Sequence, residues 1–311
     1  MAFPLVSIIS VNFNQTAVTG AFLESIQHLR YPNIEVILVD NGSAEPPGDW
    51  VAEHFPDVRY LETGKNLGFS GGNNVGLRAA RGEFFLLVNN DTELTPDLVD
   101  RLLEHFQSDP TIGMVCPLIR YFDEPKPIQF AGYTPMHPIT ARNRTIGQNS
   151  IDQGQYTVPM ETAFAHGAAM FTSRAVVDRA GLMPELYFLY YEELDWSAAI
   201  LRAGFRLSVE PRAVIFHKES VSVGRASPLK TYYMSRNRVL FMRRNAAWWS
   251  WILFLVYWML VVAPVHSLRY WRSGQRDHLR AFWRAMAWHL QSKRTREAPP
   301  AVPAFLLPKG A

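Results

Sequence analysis

The chain is poor in cysteine. Its single thiol, Cys116, sits in the apolar run IGMVCPL, so no disulfide can form within the chain and the sequence suits a reducing compartment. The first residues, MAFPLVSIISV, lack a basic n-region and a cleavage site, and they are expected to open the fold as a strand. Internal repeats and low-complexity tracts are absent too, which argues against a solenoid or a disordered tether. The stretch 246–265, AAWWSWILFLVYWMLVVAPV, has no charge at all. Acids are scarce around it: from Lys230 onward there are 14 Lys and Arg against 2 Asp and Glu, in a chain whose overall charge is only +3. An acidic body with a basic tail implies two surfaces with different partners.

What is present is enough for a large core. The 311 residues are 48% hydrophobic and 19% charged, which excludes intrinsic disorder. Apolar runs (LVSIISV, IEVILVD, VRYLE, EFFLLVN) alternate with helical patterns (AFLESIQHL, WVAEHF, NNVGLRAA, TPDLVDRLLEHF). The last pattern predicts a helix capped by Thr95 with Pro96 at its first position. Such alternation predicts an α/β fold with a mostly parallel sheet flanked by helices. Residues 119–160, rich in Pro, Gly, Gln and Asn, read as an irregular excursion that forms part of a substrate surface. Regularity returns with TAFAHGAAMFTS, a helix from about Ser173, YFLYYEELDWSAAILRAGFRL, and a basic helix from Lys230 to Arg244. The expected division is a catalytic domain over 1–227 and a basic, aromatic, helical region over 228–311.

Four polar clusters follow apolar runs: VNFNQT, VDNGS, GKNLGFSGGNNVG and VNNDTE. In a parallel sheet all four lie on one edge, where ligands of such sheets gather. Their chemistry suits a nucleotide. Asp40, with Asn41 beside it in VDNGS, can accept hydrogen bonds from a ribose or base, and Asn12 and Asn14 can flank the base. Gly68, Gly71 and Gly72 permit close approach of an anion, and Asn73 and Asn74 open a helix whose N-terminus favours negative charge. Asp91, after Asn89 and Asn90, is a hard oxygen donor suited to Mg²⁺ or Mn²⁺ on diphosphate oxygens. In YFLYYEELDWS, Glu192, Glu193 and Asp195 are three acids beside Tyr187, Phe188, Tyr190 and Tyr191. Acids against apolar walls have raised pKa values and can serve as a general base, while Tyr190 and Tyr191 offer a sugar platform.

VSIISVNFN, VILVDNGS, NLGFSGGNNVGL and LLVNNDTEL together resemble the successive motifs of the family 2 inverting glycosyltransferases of the GT-A fold, in the rhamnosyltransferase-like branch, over roughly residues 5–245. The resemblance implies a Rossmann-like GT-A sheet and transfer of a sugar, rhamnose being the candidate, from a nucleotide-diphosphate donor to a lipid-linked or polysaccharide acceptor. It implies that Asn89-Asn90-Asp91 occupies the place of the metal-holding Asp-X-Asp motif, with an amide for the first acid. The stretch YFLYYEELDW resembles the motif that carries the base, which implies Glu193 for that role, where the family has Asp; Glu192 and Asp195 are the alternatives. His217, after another apolar run, falls where the family places a metal- or diphosphate-binding histidine. YYMSRNRVLF resembles a further motif, in which Arg236 and Arg238 would neutralise the leaving diphosphate or, alternatively, face anionic lipid. AHGAAMF matches the acceptor-side strand, in which Gly167 and Ala168 let an acceptor lie close to the backbone.

The tail predicts lipid contact. Residues 246–265 are near the ~20 needed to span a bilayer, with Trp248, Trp249 and Trp251 gathered at one end. Arg269, Arg272, Arg276, Arg280 and Arg284 recur every three or four residues as one helical stripe, opposed by Leu279, Phe282, Trp283, Met286 and Leu290. Basic residues on both sides of the apolar run disfavour a crossing. The expectation is a monotopic anchor over 246–290 on the cytoplasmic face of the plasma membrane, with a single span as the alternative. A Trp-rich run beside the basic stripe argues for lipid and against nucleic acid. Two rival functions are a non-catalytic membrane scaffold of the same fold and a sugar nucleotidyltransferase. The latter needs a glycine-rich loop with a basic residue after the first strand, which VNFNQTAVTG does not offer.

Overall fold

The computed structural model describes residues 3–218 and 227–290; of the 228–311 region, 291–311 lie outside the described residues. The first half alternates as the sequence predicts. Strands β1 (Val6–Asn12), β2 (Ile34–Asp40), β3 (Val58–Glu62) and β4 (Phe84–Val88) are interleaved with helices α1 (Thr16–Ile26), α2 (Gly48–His54) and α3 (Gly68–Ala79). The short β5 (Thr92–Leu94) precedes α4 (Leu98–Gln107). Then come β6 (Ile112–Tyr121), β7 (Ile128–Phe130), β8 (Met160–Glu161), β9 (Ala169–Ser173), α5 (Arg174–Ala180), α6 (Glu192–Arg202) and β10 (Arg206–His217). One mixed sheet runs β3-β2-β1-β4-β9-β6-β10-β5, with β7 on β6 and β8 on β10.

The central apolar runs, β1 and β4, become strands because both their faces are covered. Every residue of β4 is buried, and Ile8, Ile9, Leu38, Leu86 and Phe171 share its core. β9 is antiparallel to both β4 and β6, which makes the sheet mixed and carries the AHGAAMF segment into its centre. α4 begins later than the sequence predicts. Thr95 does not cap it: its Oγ1 donates to the Val214 carbonyl at 2.8 Å, and Asp97 takes the N-cap position. The hydroxyl tethers the loop to β10 instead.

After β10 the chain is helical: α7 (Pro228–Asn245), α8 (Trp248–Tyr257), a π-helical segment (Trp258–Val262), α9 (Ala263–Arg272) and α10 (Arg276–Trp288). Ser227 caps α7 by accepting from the Lys230 N–H at 3.1 Å. Trp248–Arg272 is one helix of 25 residues, long and apolar enough to cross a membrane. Its buried ridge, Ser250, Phe254, Trp258 and Val262, repeats every fourth residue and packs against the protein. Tyr187, Tyr191 and Leu194 join Leu240, Phe254, Trp258 and Phe282 in one cluster, so the tail shares a core with the sheet-bearing part of the chain. The arginine stripe is not one helix, because the turn at Ser273–Gln275, with Gly274 at φ +67°, divides Arg269 and Arg272 from Arg276, Arg280 and Arg284.

Candidate active site

Register sets the floor of the site. Asn12 at the end of β1 pairs with Asp40 at the end of β2. Both are buried, and they bind each other: Asn12 Nδ2 donates to Asp40 Oδ2 at 2.8 Å, while Asn12 Oδ1 accepts from Thr19 Oγ1 at 2.9 Å. Asp40 also accepts from Ser43 Oγ (2.6 Å), the Ser43 N–H (2.9 Å) and the Gly42 N–H (3.2 Å). A carboxylate has about four lone-pair sites. The protein fills them here, and Asp40 folds the loop expected to face a nucleoside. Asn14, at φ +56°, accepts from the Ala44 N–H at 2.9 Å and belongs to the same loop.

The glycine- and asparagine-rich cluster is also bound up internally. Asn41 spans the turn before α3, accepting from the Leu67 N–H at 3.0 Å and donating to the Gly68 carbonyl at 3.0 Å. Asn73 Nδ2 donates to the Phe69 carbonyl, and Asn74 Nδ2 to the Met183 carbonyl and to Glu185. Gly68 has φ +76°, and a Cβ there would lie 2.3 Å from the Phe188 oxygen. At Gly72 a Cβ would meet Val11 Cγ1 at 2.9 Å. These two glycines allow close packing against the aromatic loop and β1. Asn90 donates to Thr19 Oγ1 at 2.8 Å.

Asp91 has a different setting. β4 stops at Val88, the Asn89 N–H donates to the Ala168 carbonyl at 3.0 Å, and β5 turns back to pair antiparallel with β10. That pairing sets Thr92 opposite His217 and brings Asp91 Oδ1 to 3.1 Å from His217 Nε2. His217 Nδ1 lies 2.8 Å from Gln129 Oε1, which can only accept, so Nδ1–H is the donor there and Nε2 is the ring atom turned toward Asp91. Asp91 Oδ1 is buried without a hydrogen-bond partner. Together Nε2 and Oδ1 offer one nitrogen and one oxygen donor to a cation placed between or beside them. Their separation is close to the roughly 3 Å between adjacent ligands of an octahedral cation bound at ~2.1 Å. The donor set therefore fits Mg²⁺ or Mn²⁺. Among the described residues no cluster of three or more His, Cys, Asp or Glu forms a complete cage, which leaves the other positions to water and phosphate oxygens. Gln129, in the long excursion, gave no sequence signal; it fixes the tautomer of His217.

His166, which the sequence reading passed over, joins this group. Its ring centroid is 6.2 Å from that of His217, and it stacks on Tyr133 at 6.0 Å. Burial, with His217 nearby, pushes its pKa down to about 3. Its Nδ1 accepts from the Ala168 N–H at 3.1 Å, so Nε2 is the donor of a neutral ring.

The acids of α6 separate by environment. Asp195 is buried and engaged by Arg244 Nε at 2.9 Å and by Asn245 Nδ2, so it anchors the end of α7 and is corrected as an alternative base. Glu192 is buried, and burial, then Glu193, pushes its pKa well up; it is less accessible than the half-buried Glu193. Glu193 is half-buried, and burial raises its pKa from 4.5 to about 7. A Cβ on Gly167 would lie 3.9 Å from Glu193 Cγ and 3.7 Å from Phe69, so the bare Gly167 borders Glu193.

A strained loop delivers Glu193. Phe188, Tyr190 and Tyr191 all have positive φ (67°, 69° and 76°), a costly conformation for aromatic residues. Asn237 Nδ2 holds it by donating to the carbonyls of Tyr187 (3.1 Å), Leu189 (2.7 Å) and Tyr190 (2.7 Å). Arg236 adds bonds to the Leu186 carbonyl at 3.0 Å and the Tyr187 carbonyl at 2.5 Å. Arg236 is fully buried, and Trp288 and Tyr233 lie against its guanidinium, each 4.8 Å away. It grips the loop from below, which corrects its assignment to the leaving diphosphate. Tyr191 is buried against Phe241 and is no open sugar platform; Tyr190 is partly exposed.

A family profile described as Glycosyl transferase family 2 matches residues 7–178. The N-acetylglucosaminyl-diphospho-decaprenol L-rhamnosyltransferase of Mycobacterium tuberculosis is 25% identical over 268 residues, covering 78% of this chain and 85% of that protein. A low-salt glycan biosynthesis hexosyltransferase of Haloferax volcanii is 28% identical over 243 residues, covering 75% and 74%. Among solved structures, a mannosyltransferase from Pyrobaculum calidifontis in complex with GDP-Man and Mn²⁺ superposes with a TM-score of 0.57 at 16% identity, covering 94% of this chain and 89% of that one. GalNAc-T7 with UDP, GalNAc and Mn²⁺ gives 0.65 at 15% identity, covering 94% and 58%. These likenesses show a shared GT-A fold.

Proposed function

This chain belongs to glycosyl transferase family 2 and is a glycosyltransferase that takes its sugar from a nucleotide-sugar donor, and we propose that it is an inverting, metal-assisted enzyme working on a lipid-linked acceptor at a membrane surface. One observation carries the reading. The segment His166–Ala168 touches both halves of the chemistry: His166 faces His217, the Ala168 carbonyl holds Asn89 next to Asp91, and Gly167 borders Glu193.

In this reading Asp91 and His217 hold the Mg²⁺ or Mn²⁺. When bound, the cation would neutralise charge on the departing nucleoside diphosphate. Glu193 takes the proton from the acceptor hydroxyl as that oxygen attacks the anomeric carbon from the face opposite the diphosphate. A pKa near 7 suits this task, since a general base works best near the operating pH. Arg236 and Asn237 hold the loop that aims Glu193. Asn12, Asp40 and Ser43 shape the nucleoside side, and Gly167 and Tyr190 the acceptor side.

A rhamnosyl donor and a lipid diphosphate acceptor are supported by the name of the mycobacterial relative. A monotopic anchor is supported by the long apolar helix. One ridge is buried against the protein, while Trp248, Ile252, Val256, Leu260 and Trp271 are exposed on the remainder, with Arg269 and Arg272 at its end. A helix flanked by protein along its length lies in the interface more readily than across it. The test is product analysis: purified protein with dTDP-rhamnose, Mn²⁺ and a diphospholipid-linked sugar is expected to yield an inverted glycoside. Absence of transfer from every nucleotide sugar tried, with the nucleotide still bound, would favour the scaffold.

A further inference from the structure

A cavity of about 330 Å³ is bordered by Arg142, Asn143, Tyr191, Arg238, Trp258 and His266. That volume is at the lower end for small-molecule sites, about 300–1,000 Å³. Its polar lining is unsatisfied: Arg238 Nε, Asn143 Nδ2 and His266 Nδ1 are buried without hydrogen-bond partners. The lining is also of one sign. The charges acting on His266 are those of Arg238, Arg269 and Arg142, and no carboxylate is among them. Burial pushes the Arg238 pKa down, with Arg142 adding to the effect. Arg238 is fixed in place by a bond to the Thr140 carbonyl and by the Trp258 ring 5.1 Å away. A desolvated guanidinium without a counter-charge, as at Arg238, is costly, and an anion would offset that cost.

The placement says which anion. Tyr191 immediately precedes Glu192 and Glu193. Trp258 and His266 belong to the apolar helix whose other flank is exposed. The cavity therefore stands between the lipid-facing helix and the base.

We propose that this cavity holds the diphosphate of a lipid-linked acceptor, its hydrocarbon tail following the exposed apolar flank and its sugar directed toward Glu193. The inference rests on the lipid-linked acceptor reading above and adds the place where the head group is held. Arg142 and Arg238 are the charged ligands, and Asn143 and His266 complete the set.

Farnesyl diphosphate titrated into the full chain in EDTA tests it, because the donor side then has no cation to hold a diphosphate. Binding is expected to weaken about tenfold or more in Arg142→Gln, on an exposed loop residue, and in Asn143→Ala, as loss of a charged or buried hydrogen bond implies. It is expected to persist in Asp91→Asn, whereas binding of a nucleoside diphosphate with Mn²⁺ should show the reverse pattern. Farnesyl diphosphate affinity unchanged by both cavity variants would overturn the proposal. So would inorganic pyrophosphate binding as tightly as farnesyl diphosphate, since the tail would then contribute nothing. Transfer assays keep the two inferences apart: Arg142-dependent farnesyl diphosphate binding without transfer to any diphospholipid-linked sugar removes the acceptor reading and leaves the anion site.

Discussion

Replacing Glu193 by Gln separates catalysis from stability in opposite directions. Burial holds the Glu193 carboxyl at a pKa of about 7, against 4.5 when exposed. The folded protein therefore keeps this proton up to about pH 7, while the unfolded chain releases it from about 4.5. Wild-type stability from this group is full below pH 4.5 and is lost as pH rises through 7. At ~1.36 kcal/mol per pK unit the loss is roughly 3 kcal/mol on the alkaline side. Glutamine has the same shape and no proton to lose, so Glu193→Gln should be more stable than wild type at pH 8 and equal to it at pH 4.5. In a chain of this size the gain should appear as a rise of a few degrees in Tm. Transfer should fall by about 10²–10⁴, the usual contribution of a general base. Thermal unfolding at the two pH values and initial rates of nucleoside diphosphate release measure both. A variant less stable at pH 8, or one that keeps more than about a tenth of wild-type transfer, would refute the reasoning.

The same titration predicts that wild-type kcat/KM rises with pH up to about 7 and then levels, because only the ionised carboxylate accepts the proton; a profile flat from pH 5 to 8 would contradict it. Asn237→Ala removes three hydrogen bonds to the 187–190 loop, at about 2–4 kcal/mol; stability and kcat should fall with the donor KM little changed, measured by urea unfolding and steady-state kinetics. Gly167→Ala places a methyl at ordinary contact distance from Phe69 and Glu193, so the protein should keep its Tm while the acceptor KM rises. Replacing Leu260 and Trp271 with Ser should reduce flotation with anionic vesicles, and raised salt should weaken what binding remains, since Arg269 and Arg272 lie at the Trp271 end of the helix.

The sheet was legible because its strands are uninterrupted apolar runs ending in polar clusters, and a run such as FFLLV has no stable place except between two covered faces. The residue type at each strand end was legible too. Its duty was not. Asn12, Asp40, Asn41 and Asn74 look like ligand donors in a sequence, but their partners are Thr19, Ser43, Gly68 and Met183, and only the fold reveals which lone pairs are already taken. Asp195 could not be told from Glu193 by spacing, because its neutralising partner, Arg244, is 49 residues away. Arg236 reads as a phosphate ligand by type, and burial under the aromatic loop gives it another task. His166 and Gln129 were missed because each is a lone polar residue in a short stretch and acts only through His217.

The central claim is that Asp91, His217 and Glu193 serve one reaction centre. The most direct measurement is an anomalous-scattering crystal structure with Mn²⁺ and a nucleoside diphosphate. The account predicts a manganese peak within bonding distance of Asp91 Oδ1 and His217 Nε2, with the diphosphate between it and the Glu193 side of the site. A manganese ion held elsewhere, or a diphosphate on a surface that Glu193 does not face, would contradict it.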